Sequence, residues 1–206
     1  MVSTLELQPV VYRQWRAYGV VRRVIDVAVA SLALAAATPV LLITGLAIVV
    51  EDGFPLIFVQ SRVGRFGRTF KMYKLRTMYK EACGSAYKPG SALDPRITRV
   101  GRIARKLSID ELPQFFNVLR GDMAVVGPRP EMPFIVERYQ RWQHLRSLVP
   151  PGITGLWQTT VRSTVPLDRP EATMIDLEYV RRASPLFDLS LVVRTVATII
   201  FPRGAF

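Results

Sequence analysis

The fold of this chain is decided by one uncharged stretch, VAVASLALAAATPVLLITGLAIVV, which occupies residues 27–50. As a straight helix it would be about 36 Å long, enough to cross a hydrocarbon core of about 30 Å. It is too long for a cleavable signal peptide, and no clear small-residue cleavage site follows it. The stretch therefore predicts a membrane-embedded helix.

The centre and the flanks of this stretch bear on how it sits in the membrane. Pro39 lacks an N–H and crowds the carbonyl of Ala35, so a helix kinks or breaks there, and the Thr38 hydroxyl is placed to bond the freed carbonyl of Leu34. Basic flanks prefer the cytoplasmic side, and they occur at both ends: Arg13, Arg16, Arg22 and Arg23 before the stretch, and Arg62, Arg65, Arg68 and Lys71 after it. We predict a re-entrant hairpin, broken at Thr38-Pro39, that enters and leaves by one face. A kinked helix that spans the membrane is the alternative.

The net charge of +12 is concentrated directly after the hydrophobic stretch. Residues 60–106, the basic belt, contain thirteen Lys and Arg against Glu81 and Asp94, and so hold eleven of the twelve net charges. Such an excess predicts an anionic partner, which means nucleic acid, anionic lipid or a phosphorylated substrate. We expect anionic membrane lipids and no nucleic acid, because the belt adjoins a membrane segment and no nucleic-acid-binding motif is present.

The composition excludes two other classes of protein. A chain of 206 residues that is 50% hydrophobic builds a real core and is not disordered. Cys83 is the single cysteine, which excludes a disulfide-rich secreted scaffold and fits a reducing compartment.

The rest of the chain predicts a mainly α fold with a little β, an α+β class. A basic hairpin is expected over Val59–Met78, with turns at Gly64 and Gly67, and a loop over Tyr79–Asp94. Helices are expected over residues 95–125, Phe134–Leu148, Glu171–Arg182 and Leu186–Phe201, with a turn cluster at Pro150–Gly155. The last helix places five apolar residues on one face, which packs in the core, the commoner case, or lies on the membrane surface: Leu186, Leu189, Val193, Val196 and Ile200.

The first candidate for chemistry is SIDELPQ, residues 108–114. Ser108 and Glu111 match the spacing of a helix capping box, and on spacing alone capping is the better interpretation. Pro113 argues against it, since it would stand in the fifth helical position. If Asp110 begins the helix instead, two adjacent carboxylates lie where one can act as a nucleophile and the other can hold a divalent cation.

Two further motifs each allow a functional and a purely structural interpretation. Gly127-Pro128-Arg129-Pro130 fixes one arginine between prolines, which suits phosphate binding but equally describes a rigid turn. In residues 151–158, PGITGLWQ, Trp157 offers a stacking face, although a buried structural turn is the commoner explanation.

Other chemistries find no support in the sequence. His144 is the single histidine and adjoins Trp142 on a predicted helix, so a nucleophilic triad is not indicated. Zinc-ligand spacing is absent. A metal here is expected to be a hard cation on oxygen ligands, namely Mg²⁺ with a diphosphate.

Taken together, these motifs resemble those of the bacterial sugar transferase family, the monotopic polyprenyl-phosphate phosphoglycosyltransferases. The resemblance covers roughly residues 20–200, and the combination of Asp-Glu-Leu-Pro-Gln with Gly-Pro-Arg-Pro is highly specific. The matching stretches are Arg62–Arg65, Phe70–Met78, Asp94–Thr98 with Gly101, Leu107–Met123, Val126–Pro130 and Pro151–Gln158. The chain looks like a catalytic-core-only member with an N-terminal extension at 1–20, a membrane anchor at 21–55 and a cytoplasmic catalytic domain with surface amphipathic helices at 56–206.

The resemblance implies an enzyme of the bacterial inner membrane, with its catalytic domain on the cytoplasmic face. It implies transfer of a sugar 1-phosphate from a UDP-sugar to polyprenyl phosphate, with UMP released, as an early step of exopolysaccharide, capsule, O-antigen or glycoconjugate assembly. The catalytic pair falls on Asp110, the nucleophile, and Glu111, which helps to hold Mg²⁺, and a further active-site carboxylate falls on Asp176. We assign phosphate binding to four basic residues: Lys74, Arg76, Arg105 and Arg129. The oligomeric state is open, a homodimer included.

The sequence also departs from the family pattern. Thr38-Pro39 stands where the family has Ser-Pro, which keeps a hydroxyl, and Val161 precedes Arg162 where a Gly-Arg pair is common. The competing hypothesis, from a different class, is a non-enzymatic protein that binds a membrane surface through the basic belt. We expect the neighbouring cations to lower the pKa of both Asp110 and Glu111.

Overall fold

The computed structural model describes the backbone of residues 4–82, 91, 93–161, 164–167 and 169–200, and side chains from Tyr18 to Thr198 within these ranges. Several predictions from the sequence therefore lie outside the described residues: most of the Tyr79–Asp94 loop, Arg162, Phe201 and the side chains of Arg13, Arg16 and Ile200. The structure is mostly helical with a little sheet, as the sequence predicts.

The chain begins with one long helix, α1 (Thr4–Asp52). Its part from Tyr18 to Asp52 is long and apolar enough to cross a membrane, with a mean hydropathy of 2.4 over an 18-residue window of which 11% is buried by the rest of the protein. Small side chains such as Ala30 and Ala37 pack against the domain, while Leu32, Leu42 and Ile43 are exposed. A large apolar surface of this kind is typical of contact with lipid.

The predicted break at Thr38-Pro39 is not seen as an interruption of the helix. The helix runs through both residues without a loop. Thr38 Oγ1 donates to the carbonyl of Leu34 at 2.7 Å, as the sequence predicts. The carbonyl that loses its helical donor at Pro39 is that of Ala35, so this bond does not replace the missing one. The re-entrant arrangement thus stays a prediction.

The N-terminal half of α1 is tied to the domain by charged side chains. Arg22 donates to the carbonyl of Val126, and Arg23 donates to the carbonyls of Val118 and Leu119. The carboxylate of Asp26 accepts from the backbone N–H of Val125 at 3.0 Å.

The C-terminal end of α1 is tied to the same domain by carboxylates. Glu51 accepts from the backbone N–H groups of Arg99 and Val100 at 2.7 and 2.9 Å, where helix α2 (Arg99–Lys106) begins. Asp52 pairs with Arg76 and accepts from the backbone N–H of Lys80 at 3.0 Å. Both ends of the hydrophobic segment therefore contact one domain.

The basic hairpin forms as predicted. Strands β1 (Ile57–Val63) and β2 (Thr69–Leu75) pair antiparallel, with Ile57 opposite Leu75, and a 3₁₀ turn at Arg65–Gly67 joins them. Gly67 has a φ of 76°, a left-handed conformation that glycine adopts without strain.

The region 95–125, predicted to be helical, is divided into short pieces. After α2 come a 3₁₀ turn at Ile109–Glu111, helix α3 (Gln114–Arg120) and strand β3 (Ala124–Val126). Asn117, fully buried, holds α3 to β2 because its side chain accepts from the N–H of Tyr73 and donates to the carbonyl of Lys71. Proline at 113 and glycine at 121 delimit α3.

The predicted turn cluster at Pro150–Gly155 contains a strand instead. Strand β4 (Gly152–Thr154) pairs parallel with β3, with Ala124 opposite Gly152. A Cβ on Gly127 would lie 2.5 Å from the carbonyl oxygen of Pro150, so only glycine permits this close approach. Helix α5 (Leu156–Thr160) follows, and Trp157 is buried with Nε1 donating to the Val165 carbonyl at 3.0 Å. Trp157 is thus buried, as the structural interpretation of this motif expects, although a strand and a short helix stand where the sequence predicts a turn.

The predicted helix at Phe134–Leu148 is two elements. Helix α4 (Pro133–Val136) is one turn long, and a 3₁₀ helix spans Arg141–Leu148. Gln140 and Gln143 form a capping box that starts the second element anew, which explains the interruption.

The last two helices, α6 (Pro170–Arg182) and α7 (Pro185–Ile200), form as predicted. The apolar face of α7, however, points away from the core, where such a face more commonly packs. Leu186, Leu189, Val193 and Val196 are exposed, while Leu191 is buried against Val126 and Tyr179. Asp188 points inward and accepts from the hydroxyls of Tyr18 and Tyr179 at 2.6 and 2.9 Å. The exposed apolar face fits the membrane-surface alternative, since burial of Asp188 and its partners fixes the rotation of the helix.

Candidate active site

The carboxylate pair lies on a sharp turn between two helices. Helix α2 ends at Lys106, Ser108 takes the left-handed conformation with a φ of 55°, and the 3₁₀ turn Ile109–Glu111 follows. Ser108 makes no capping hydrogen bond with its side chain, so the capping-box interpretation is wrong. A left-handed serine is strained, and such strain is typical of functional turns.

Glu111 is held by two cations. Its Oε1 lies 2.8 Å from Lys74 Nζ and 2.8 Å from an Arg129 guanidinium nitrogen. All three side chains are between 17% and 18% exposed, so these ion pairs are shielded from bulk water. Strand β2 supplies Lys74 and the proline-bounded loop supplies Arg129, so three separate segments meet at one oxygen.

Asp110 stands beside this group and differs from Glu111 in its contacts. The residue is 9% exposed, and its carboxylate accepts no hydrogen bond from the described residues. Lys74, Arg105 and Arg129 are near enough for their charges to lower its pKa. Glu111 is thus paired with two cations, whereas Asp110 accepts no hydrogen bond from the described residues.

The environment moves the two pKa values apart, which corrects the prediction that both are lowered. Burial raises the pKa of Asp110 and the charge of Glu111 adds to this, against the opposing cations. Burial also disfavours the charged form of Glu111, but Arg129 and Lys74 outweigh it and hold its pKa well below the ordinary value. Divergent pKa values in a carboxylate pair are the usual sign of two different chemical roles.

The Gly127–Pro130 loop is fixed from three sides. The carbonyl of Pro128 accepts from Gly152 N, and that of Arg129 from the Arg146 guanidinium at 2.6 Å. The carbonyl of Pro130 accepts from Arg62 at 3.2 Å. The sequence leaves a rigid turn and a phosphate-binding arginine as alternatives. In the structure the turn is rigid and it also holds Arg129 against Glu111.

Asp176 lies one layer behind the site. It is 1% exposed and accepts from Arg146 at 2.5 Å, so it reaches the site through Arg146 and the Arg129 carbonyl. Burial raises the pKa of Asp176 to about 6 despite the charge of Arg146. The structure thus places Asp176 as a support of the arginine loop and not beside Asp110.

Arg105 and Arg76, the other two residues predicted to bind phosphate, lie in different places. Arg105, in the last turn of α2, donates from Nε to Thr77 Oγ1 at 2.8 Å and is near enough to Asp110 to feel its charge. Arg76 is 2% exposed and binds Asp52 and the carbonyl of Gly53. The structure does not bring Arg76 to the carboxylate pair: it places Arg76 at the end of α1.

A magnesium ion fits the residues that are present. Within the described part of the chain, no three His, Cys, Asp or Glu side chains cluster as a metal cage. Mg²⁺ does not need one, because it is commonly bound by one or two carboxylates, water and substrate phosphates. Asp110 and the second oxygen of Glu111 offer such oxygens, since neither accepts a hydrogen bond from the described residues.

Arg146 is the supporting residue that the sequence does not reveal. Its guanidinium joins Tyr139, Asp176 and the Arg129 carbonyl, with partners up to 30 residues away. The available signal is weak: one arginine between Leu145 and Leu148 in an otherwise half-apolar segment.

Chemically, the site combines a free carboxylate with three cations. Lys74, Arg105 and Arg129 outnumber the charges of Asp110 and Glu111, so the site accepts further negative charge. Arginine and lysine in shielded positions stabilise phosphoryl groups during transfer. The arrangement suits attack on a phosphorus atom by Asp110.

Known proteins are similar to this chain over most of its length. The model of a family described as bacterial sugar transferase matches residues 17–202. A UDP-glucose:undecaprenyl-phosphate glucose-1-phosphate transferase from Caulobacter vibrioides is 40% identical over 90% of this chain and 72% of its own length. An exopolysaccharide production protein, ExoY, from Sinorhizobium fredii is 36% identical over 91% of this chain and 89% of its own.

A third relative shows that the chain matches only part of some longer proteins. It is the UDP-N-acetylgalactosamine-undecaprenyl-phosphate N-acetylgalactosaminephosphotransferase of Aeromonas hydrophila, 37% identical over 91% of this chain and 45% of its own length. The chain spans less than half the length of several curated relatives that it matches. The family match covers nearly all of the present sequence, and the chain belongs to the bacterial sugar transferase family.

Proposed function

We propose that this protein transfers a sugar 1-phosphate from a UDP-sugar to a polyprenyl phosphate such as undecaprenyl phosphate, through a covalent intermediate on Asp110. The observation that carries the proposal is the nearly buried carboxylate of Asp110, which accepts no hydrogen bond from the described residues, beside a Glu111 that two cations hold. The activities for which the relatives are named supply the classes of donor and acceptor.

In the first half-reaction, a carboxylate oxygen of Asp110 attacks the β-phosphorus of the UDP-sugar. A bond forms between that oxygen and phosphorus, and the bond from the β-phosphorus to the bridging oxygen breaks. UMP leaves with the bridging oxygen and its electron pair. Arg105, Arg129 and Lys74 balance the negative charge that develops.

In the second half-reaction, a phosphate oxygen of the polyprenyl phosphate attacks the same phosphorus. The aspartyl oxygen leaves as a carboxylate, and the product is a polyprenyl diphosphate sugar. No net proton is gained or lost by Asp110 over the cycle. The raised pKa of Asp110 fits this role, because a more basic carboxylate is a better nucleophile when ionised.

Glu111 is proposed to hold Mg²⁺, together with the diphosphate of the donor. The ion supplies charge neutralisation of the phosphate oxygens. The lowered pKa of Glu111 keeps this carboxylate ionised at neutral pH. Lys74 and Arg129 orient it by binding its Oε1.

We propose that the hydrophobic segment of α1 is a re-entrant anchor at the cytoplasmic face of the inner membrane. Arg22 and Arg23 near one end and Glu51 and Asp52 at the other contact the same domain, which supports ends on one side. The exposed apolar face of α7 and the basic belt are then placed to contact acyl chains and anionic headgroups.

Labelling of introduced cysteines tests this topology. With Cys83 replaced by serine, cysteines that replace Trp15 or Arg68 are expected to react with a membrane-impermeant reagent only in inverted vesicles. Both positions stay protected in intact spheroplasts. Reaction of the two positions from opposite sides would show a full span and overturn the hairpin.

Release of UMP tests the proposed activity itself. Purified protein mixed with Mg²⁺, polyprenyl phosphate and each of several UDP-sugars is expected to release UMP with one of them and to form the lipid-linked sugar in equal amount. Such a screen also identifies the sugar. Release of UMP with water as the acceptor would indicate a hydrolase, and no release with any donor would favour the non-enzymatic membrane-binding hypothesis.

A further inference from the structure

An apolar groove of about 740 Å³ lies on the membrane side of the site. We define it by its three walls: the second half of α1 with Leu42, Gly45 and Leu46, the segment Phe54–Ile57 with β2, and Pro113 with Phe116 at the start of α3. Among the described residues that line it, Tyr73 and Arg120 alone carry polar side chains. Its volume falls within the range of ligand sites.

The groove is continuous with the surface that faces lipid. Leu42, Leu46 and Phe54 line it and are each between 66% and 69% exposed. Water in such a groove is unfavourable, and an apolar chain from the bilayer can enter it sideways without crossing a polar barrier. An occupant from the membrane is therefore favoured over one from solution.

The groove also adjoins the catalytic cluster. Leu75 follows Lys74 directly in β2, and Pro113 stands two positions after Glu111. At its rim, Arg120 donates to the hydroxyl of Tyr73 at 3.0 Å. Side chains alternate between the two faces of a strand, so Lys74 points to the face of β2 opposite Tyr73 and Leu75, and a ligand in the groove is placed to reach the cations of the site past Pro113.

The donor does not suit this groove. A UDP-sugar carries many hydroxyl and phosphate groups, and the apolar walls offer them no hydrogen bonds. A long, branched hydrocarbon chain that ends in a phosphate suits both the walls and the neighbouring cations.

We infer that the apolar groove holds the phosphate-proximal isoprene units of the polyprenyl phosphate acceptor, while the rest of the chain stays in the bilayer. This inference rests on the proposed function, because it assigns a binding site to the acceptor of that reaction. Gly45 on α1 keeps the groove open.

The test is a substitution that fills the groove. A Cβ on Gly45 would lie 3.9 Å from Leu56 Cδ1, so the backbone tolerates a side chain there, and leucine would extend into the groove. Gly45→Leu is expected to raise KM for the long polyprenyl phosphate by about tenfold or more and to leave KM for the UDP-sugar unchanged. Gly19→Leu is the matched control on the same helix, because a Cβ there meets nothing within 4 Å. Unchanged acceptor KM in Gly45→Leu would overturn the inference, whereas an inactive native chain would overturn the proposed function.

Photocrosslinking of the native chain provides a second, independent measurement. A polyprenyl phosphate with a diazirine on its first isoprene units is expected to label peptides that contain Leu46 or Phe116, with at least about tenfold less labelling when unlabelled polyprenyl phosphate competes. A phospholipid with a diazirine in its acyl chain is expected to label these peptides weakly. Equal labelling by the phospholipid, undiminished by polyprenyl phosphate, would assign the groove to bulk lipid and contradict the inference.

Discussion

Replacing Asp110 with asparagine is expected to lower turnover by at least about a thousandfold, because the amide cannot form the covalent intermediate. The fold is expected to survive. The carboxylate of Asp110 accepts no hydrogen bond from the described residues, so an asparagine of the same shape breaks no such bond. Steady-state release of UMP and the thermal unfolding midpoint are the two measurements.

Asp122→Asn is the matched control for this substitution. Asp122 is half-buried, pairs with Arg120 at 3.4 Å and lies after α3, outside the carboxylate cluster. It is expected to keep turnover within about twofold of the native chain, since a partly exposed ion pair contributes little. A turnover in Asp110→Asn above a tenth of the native value, with the fold intact, would show that Asp110 is not the nucleophile.

Replacing Arg129 with alanine is expected to lower kcat/KM by about a hundredfold to a thousandfold. The substitution removes one of the two cations on Glu111 Oε1 and a positive charge that faces the donor diphosphate. The pKa of Glu111 is expected to rise towards its ordinary value, because Arg129 is the strongest of the charges that lower it. The acidic limb of the pH profile of kcat/KM is therefore expected to move to higher pH, and measurement of that profile tests the prediction.

Arg129→Lys distinguishes charge from geometry. Lysine restores the positive charge but not the planar pair of donors, so partial recovery is expected. The exposed Arg138, replaced by alanine, serves as the control for a general loss of positive charge. Native kcat/KM in Arg129→Ala would contradict the placement of Arg129 at the transferring phosphate.

Local patterns in the sequence account for the elements that form as predicted. The hairpin of β1 and β2 follows from glycines between two strand-like runs, and α6 and α7 follow from helical periodicity. Strands β3 and β4 escape prediction because each has three residues and its partner is distant in the chain. Their pairing depends on the close approach of Gly127 and Gly152, which is a tertiary feature.

The orientation of α7 shows how a buried polar network overrides an apolar pattern. Its apolar stripe predicts the core, yet Asp188 turns inward because Tyr18 and Tyr179 donate to it and Arg22 lies 3.7 Å away. A pattern of apolar residues does not distinguish a protein core from a lipid surface, since both exclude water.

Some residues of the candidate site are predictable from local sequence and others are not. The motifs together with the family resemblance identify Asp110, Glu111, Lys74 and Arg129. The structure joins Lys74 to Glu111 through an ion pair that crosses 37 residues. Arg76, which the sequence assigns to phosphate binding, pairs with Asp52 in the structure, and nothing local in the sequence reveals that pairing. Arg146 is missed for the same reason, since its partners lie on distant segments.

The proposed covalent bond between Asp110 and a sugar phosphate can be detected by intact-protein mass spectrometry. The native chain is incubated with Mg²⁺ and its UDP-sugar in the absence of polyprenyl phosphate, quenched, and mapped by proteolysis. A mass increase of one sugar phosphate is expected on the peptide that contains Asp110. The added mass is expected to be lost when polyprenyl phosphate is added and to be absent in Asp110→Asn. An unmodified chain that nevertheless forms UMP and lipid-linked sugar once both substrates are present would contradict the account.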